Sequence, residues 1–585
     1  MEENNFFSFL KNLKKRLGLP SLQEVAYILR HLPKKERVAF LIFSSVFIGG
    51  FSFFIWQIND RISVVVPEEG GTFKEGVIGT PRFINPLLAI SDADRDMTAL
   101  VYSGLMRPDN KSGLETDMAE KYEISNDGLE YTFTLKPNLV WQDGERLTSD
   151  DIVFTIQQAK DQLLKSAKRA SWEGVNVEKI DEKTVKFILE KPYTPFLENT
   201  TIGILPKHVW EKASSELMNF SDLNIKPIGS GPYKIKNVDR DSSGIISSIT
   251  LTANKKFILG RPYIDKLVIK FYPSEEKLIN AYQNREIDGI SAISPQSLEK
   301  IKRIGSDVKV FSLPRIFGIF FNKNSAKVFT QKEIRQALDM AIDKKKLIDE
   351  TLNGFGVKSD YPIPPGTFGS LPEKNDAYSP EESKKLLEKN GWKKNEEGVY
   401  EKKISRNETL RLVFSLSTSN VPELKSAAEA VKSTWEKIGA KVELKIFETG
   451  DLNQNVIRPR KYDALLFGEV VGRDPDPFVF WHSSQRNDPG LNIALYTNIT
   501  ADKLLEKART VSDEEKRKEI YRQFQEEVEK DAPAVFLYSP YFIYIVPHAL
   551  KGIDDTSGIT VPSERFGQIY KWHLGTEKIW KIFAK

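Results

Sequence analysis

Residues 462–483 read YDALLFGEVVGRDPDPFVFWHS. Tyr462, Ala464, Leu465 and Phe467 are compatible with a strand that ends at Gly468. A loop follows in which Asp474 and Asp476 alternate with Pro475 and Pro477. The prolines fix φ and cannot donate to a ladder, so the loop is stiff and holds its carboxylates in place. Phe478, Phe480 and Trp481 come next. A rigid acidic loop at the end of a strand, walled by aromatic rings, suits a cationic or amine-bearing ligand. The same residues also suit an ordinary turn followed by core aromatics.

The neighbouring segments bear on that choice. Residues 410–416 read as a strand, 421–437 as a helix stopped by Gly439, and 441–447 as a second strand. That is a βαβ unit with locally parallel strands, and the strand from Tyr462 joins the same sheet. Its carboxyl end is the expected ligand edge of an open α/β sheet. Upstream, Thr330 to Glu333 has the form of a capping box, with Ile334, Ala337, Leu338, Ala341 and Ile342 on one helical face. Ser379-Pro380-Glu381-Glu382 opens another helix, which Gly391 closes.

Earlier in the chain, 246–252 and 267–272 have strand patterns. Thr148 to Asp151 offers caps to a helix carrying Ile152, Val153, Ile156 and Ala159. The run from Pro227 to Tyr233 lacks the Lys and Ser/Thr of a phosphate loop, and a backbone crossing between lobes is the better reading. Asp92, Asp94 and Asp96 lack the glycine and final glutamate of a calcium loop; a helix over 94–103 is expected instead.

Residues 38–58 carry no charge and are long enough to cross a ~30 Å hydrocarbon core. Lys34, Lys35 and Arg37 precede the run, so its N-terminal side should stay in the cytoplasm. With no small-x-small site after it, the run reads as an uncleaved signal anchor. Before it, Phe6, Phe9, Leu10, Leu13 and Leu17 fall at helical spacing among basic residues. That pattern suits a helix on the inner leaflet, or simply a basic flank that sets topology. The chain has 85 Lys and Arg against 81 Asp and Glu, and the whole excess lies before residue 62. The exported part is formally neutral, which argues against a nucleic-acid partner. The 585 residues include no cysteine, excluding disulfides, cysteine catalysis and a lipid-modified cysteine.

In order, Asn85-Pro86-Leu87-Leu88, Val101 to Leu105, Trp141 to Glu145 with Leu147 to Asp151, and Pro206 to Trp210 resemble the family 5 extracellular solute-binding proteins. So do Pro227 to Tyr233, Gly260-Arg261-Pro262, Phe321-Asn322, Ile334 to Leu338, Ala341 to Asp343 and Asp474 to Pro477. These are receptors of peptide and nickel ABC importers, and the resemblance spans nearly all of the exported chain. It implies an α/β, two-lobed periplasmic-binding-protein-like fold of the large class, with an inserted extra domain, here preceded by one N-terminal transmembrane helix. The divisions expected are a leader over 1–37, an anchor over 38–58, a linker over 59–75 and a solute-binding domain over 76–585. Within it, lobe I takes about 70–96, 198–318 and 538–585, the insert about 97–197, and lobe III about 319–537.

The resemblance further implies a peptide ligand whose amine pairs with Asp474, with Asp476 as the alternative. Gly468 and Glu469 line the bound peptide, beside Trp481. Leu465 and Leu466 stand where some peptide binders carry a basic residue, which puts a fixed-length clamp in doubt. An ABC permease and ATPase are the implied partners, and the binding domain lies outside the cytoplasmic membrane. No cofactor, metal or catalytic residue is expected. The alternatives are a nickel or metal-chelate receptor and, further off, an anchored exported hydrolase. For the hydrolase, neither HExxH nor GxSxG occurs, and the five histidines are scattered.

Overall fold

Two mixed β-sheets carry the larger of two units in the computed structural model, which describes residues 27–583 apart from 28, 110–112, 302–304, 375–377 and 555–557. The units are Glu69–Gly575 and the pair Met1–Glu68 with Thr576–Lys585. The amphipathic pattern at residues 6–17 lies outside the described residues.

The first sheet has seven strands in the order Ser306–Phe311, Phe542–Pro547, Gly289–Ser291, Thr72–Ile78, Lys266–Tyr272, Ile246–Ala253, Tyr233–Arg240. Thr72–Ile78 runs parallel to both neighbours, and the other pairs are antiparallel. A four-stranded antiparallel sheet built between Ala119 and Leu189 shares one hydrophobic core with it. The second large sheet has six strands in the order Gly356–Lys358, Ala534–Pro540, Arg315–Phe321, Ala464–Val470, Val413–Ser419, Lys441–Phe447. Apolar clusters cover both of its faces. That is why Arg315–Phe321, with the sequence RIFGIFF, is apolar almost without alternation.

The expected βαβ unit is present. Val413–Ser419 and Lys441–Phe447 pair in parallel, and Ala464–Val470 joins Val413–Ser419 on the other side, also in parallel. The intervening helix Pro422–Ile438 starts on Pro422 and ends on Gly439 at φ +103°, where a side chain would be strained. It buries Leu424, Ala427, Ala428, Val431, Trp435 and Ile438 along one stripe. Ser379 and Thr148 cap their helices as expected.

The chain passes between the two large sheets at two adjacent places, Ser312 to Pro314 and Tyr541. Ser539 Oγ, next to the second passage, lies within hydrogen-bond distance of the Leu313 carbonyl in the first (3.2 Å) and of the Arg315 carbonyl (2.6 Å). The run from Pro227 to Tyr233 is therefore not a crossing between these sheets. It packs against the end of the helix Asp92–Val101, where a Cβ on Gly229 would meet the Val101 carbonyl oxygen at 2.0 Å.

Three other expectations are corrected. Thr330 does not cap its helix: its hydroxyl donates to the Lys327 carbonyl (2.7 Å), and the helix begins at Lys332. Glu333 instead faces Lys402 and Trp392. The strand at Gly468 continues to Val470, carried by the full-length ladder with Arg315–Phe321. The segment 59–75, expected as a linker, already contains the strand Ser63–Pro67 and the start of Thr72–Ile78. The acidic triplet forms no metal loop. Asp94 accepts from the backbone N–H of Arg82, Phe83 and Ser91 (2.7–3.1 Å), and Asp96 pairs with Arg565 (2.6 Å).

In the smaller unit the helix Lys34–Ile62 has 29 residues, none of them buried. It is long and apolar enough to cross a membrane. The strand that follows, Ser63–Pro67, pairs antiparallel with Thr576–Trp580.

Candidate functional site

Gly472 to Pro477 leaves the end of Ala464–Val470 and is pinned from three sides. Asp474 pairs with buried Arg517 (2.8 Å). Asp476 takes two donors from Arg509 (2.5 and 2.9 Å). Tyr521 Oη donates to the Pro475 carbonyl (2.7 Å). Burial pushes the Asp474 carboxyl up while Arg517 pulls it down. Both aspartates therefore already have a counter-charge within the protein, and Asp474 keeps one oxygen, Oδ1, without a partner.

Glu469 is different. It is 3% exposed and neither carboxyl oxygen has a hydrogen-bond partner. Burial raises its pKa well above the usual carboxylate value, with only the Trp481 indole near enough to ease this. Of the four carboxylates of the stretch, Asp474 and Asp476 pair with arginines and Asp463 accepts from Ser325 and Ser415, whereas neither oxygen of Glu469 has a hydrogen-bond partner. Trp481 is core, 1% exposed, with Phe320, Phe536 and Tyr496 rings around it. Gly468 is small because Phe317 lies across it; a Cβ there would meet the ring at 2.8 Å.

A cavity of about 560 Å³ opens beside this strand end. Such a volume is typical of ligand pockets. Val470 is the second sheet's contribution to its wall; the rest comes from helices, turns and other segments that connect to the first sheet, not from its strands. The helix Asp92–Val101 turns Arg95, Thr98 and Ala99 toward it, and Tyr102 follows at the same helical spacing. Glu469 sits one residue before Val470, on the strand's other face.

Arg473 joins the two sides of the cavity. It is 7% exposed and reaches Glu564 (2.6 Å) and Glu198 (3.4 Å), both on the cavity wall. Burial pushes Glu198 up to about 7, against the pull of Arg473. Asp117, also on the wall, is pushed up to about 6 by burial. A second contact lies where the Thr194 N–H donates to the Arg509 carbonyl (3.0 Å). The sequence reading missed Arg473, Glu198 and Glu564. The one available signal was an arginine directly before two aspartates, with its partners far away in the chain.

His482 stacks on Phe478 at 4.1 Å and lies 2.8 Å from Ser484 Oγ. Its Nδ1 also accepts the Ser484 backbone N–H (3.1 Å), so the imidazole caps a local turn, with Glu506 and Asp502 3.5 and 3.9 Å from its Nε2. Among the described residues no three His, Asp or Glu gather as a metal shell.

The sequence pattern of bacterial extracellular solute-binding proteins, family 5 middle, matches residues 113–490. The oligopeptide-binding protein AppA of Bacillus subtilis is 29% identical over 499 residues, covering 83% of this chain and 89% of that one. Its structure with a nonapeptide superposes with a TM-score of 0.67, covering 87% of this chain and all of that one. NikZ from Campylobacter jejuni, solved with Ni(L-His), gives 0.69 at 28% identity over 86% of this chain and 99% of its own. The ABC transporter substrate-binding protein CtaP of Listeria monocytogenes gives 0.75 at 26% identity, covering 87% of this chain and all of its own.

Proposed function

The chain belongs to the bacterial extracellular solute-binding proteins of family 5, and on that footing we propose that it captures oligopeptides outside the cytoplasmic membrane for an ABC importer. On this reading it performs no chemistry. The first sheet with its insert and the second sheet act as two lobes, and the ligand is enclosed between them. The lobe bounds follow the two chain passages at Ser312 to Pro314 and Tyr541. Closure is selected only by the ligand's differential affinity for the closed form. A permease and an ATPase take the ligand on, and the helix Lys34–Ile62 holds the receptor as a single-pass anchor with its N-terminus inside.

Glu469 is the observation that carries the peptide reading. Its carboxyl is buried on the strand face opposite cavity-lining Val470, eased only by the Trp481 indole, and this is costly when empty; on this reading the ligand amine reaches it around the strand end. A ligand ammonium is the group that would satisfy it, and a charge-assisted bond of this kind is worth about 1.5–3 kcal/mol. Asp474 and Asp476 serve instead to stiffen the loop, with Gly468 and Trp481 shaping the strand end from behind. The peptide's backbone lies extended, as in other cases of added-strand recognition.

The test uses the full chain in detergent and a peptide with a free or an acetylated N-terminus. Calorimetric titration should show binding of the free form, weakened roughly 10- to 150-fold by acetylation or by Glu469→Gln. Equal binding of all forms would remove the amine from the account. A second reading, a nickel or metal-chelate receptor, has support in the likeness to NikZ with its Ni(L-His). It predicts heat with a nickel–histidine mixture and none with peptides.

A further inference from the structure

The helix Lys34–Ile62 spans about 44 Å at 1.5 Å per residue. The uncharged run 38–58 fills a hydrocarbon core of ~30 Å, which leaves Asn59 to Ile62 in the outer headgroup layer. Trp56, 61% exposed, marks the edge of the core, where indoles concentrate.

The strand Ser63–Pro67 leads away from that edge, and Thr576–Trp580 runs antiparallel to it, back toward the edge. The register pairs Thr576 with Pro67 and Trp580 with Ser63, the first residue after the helix. Lys578 and Trp580 share a strand face. Lys578 Nζ reaches Asp60 (2.7 Å) and the Trp580 indole donates to Asn59 Oδ1 (2.7 Å), both in the helix's last turn. The turn Lys581–Phe583 thus begins level with the helix end. Ile582 is 78% exposed and Trp580 46% exposed, with Lys578 and Lys581 among them.

We infer that Trp580 to Ile582 docks in the outer headgroup layer of the membrane that the helix Lys34–Ile62 crosses, so that the chain meets the bilayer at two places. An indole at the interface, an aliphatic side chain beside it and lysines that keep their ammonium groups in the wet layer are the parts such a site needs. The inference rests on the reading of the helix as a spanning anchor.

The chain has no cysteine, so single cysteines can report on position without background. Full-length Ile582→Cys, Phe47→Cys and Ser243→Cys, each carrying an environment-sensitive fluorophore, would be reconstituted in vesicles of phosphatidylcholine and phosphatidylglycerol. Position 47 lies inside the apolar run, and 243 is an exposed turn of the larger unit. Lipids spin-labelled at the headgroup or deep in the acyl chain then act as quenchers. The expected result is strong quenching at 582 by the shallow label, at 47 by the deep label, and none at 243. Quenching at 47 with 582 behaving like 243 overturns the docking and leaves the anchor standing. No quenching at 47 overturns both.

Discussion

Arg565 is fully buried and donates to two buried carboxylates, Glu75 (2.7 and 3.2 Å) and Asp96 (2.6 and 2.8 Å). Tyr544 Oη donates to Glu75 as well (2.8 Å). This cluster ties Thr72–Ile78, the helix Asp92–Val101 and the turn Pro562–Lys571, whose residues Ser563, Glu564 and Phe566 wall the cavity. Burial pushes both carboxyls up, and Arg565 is the main force pulling them down. Arg565→Met would keep the volume and leave two carboxyls facing each other without a cation. Breaking a buried pair in this way costs about 3–5 kcal/mol. For a unit of this size each kcal/mol moves Tm by about 1–2 °C, so the expected loss is ~3–10 °C by differential scanning calorimetry. The deficit should depend on pH in one direction. Carboxyls whose folded pKa is raised contribute stability below their unfolded pKa and lose it as pH rises, so the variant should fall further behind wild type at pH 8 than at pH 5. Adding Glu75→Gln and Asp96→Asn to Arg565→Met should recover much of the loss. An unchanged Tm, or a deficit equal at both pH values, would refute the reasoning.

Other outcomes follow from the same geometry. Empty Glu469→Gln should unfold at a higher temperature than wild type at pH 8, because the raised carboxyl loses its contribution as pH rises; peptide affinity in wild type should climb over the same range as Glu469 gives up its proton. Glu198, pushed up to about 7, should give a fall in Tm from about pH 5 to 7 that levels off above and shrinks in Glu198→Gln. Arg473→Ala should weaken the contact across the cavity, seen as a larger radius of gyration in small-angle scattering of the empty protein; an identical radius would show that the clasp does not hold the lobes. Gly229→Ala should lower expression or Tm sharply, since the added Cβ has no room against Val101.

The second sheet was readable because its signals are local. Proline at the start and glycine at the end bound the helix Pro422–Ile438, and its apolar stripe recurs every three to four residues. The stiffness of the loop at Asp474 was readable from its prolines, but the arginines that neutralise it were not. Arg509 and Arg517 lie on later elements, and nothing in their own neighbourhoods marks them as partners of the loop. Glu469 is marked as lining the ligand only through the family resemblance; nothing in its local sequence shows that the fold buries it without a partner. The clasp joins Arg473 to a residue 275 positions away, and Trp580 meets a helix residue 521 positions away. Contacts at such separations leave no periodicity in sequence. Thr330 shows the opposite failure, a complete local motif whose hydroxyl was claimed by a nearer carbonyl.

The central claim is capture of a peptide by this receptor, and thermal unfolding of the full chain in detergent tests it most directly. The chain would be screened against a random peptide pool, free amino acids and a nickel–histidine mixture. A ligand at a hundred times its Kd adds about 2.7 kcal/mol, a readily visible shift. The account predicts a rise in Tm with the peptide pool and none with the other two. A rise with nickel–histidine alone, or no rise with any peptide, would contradict it.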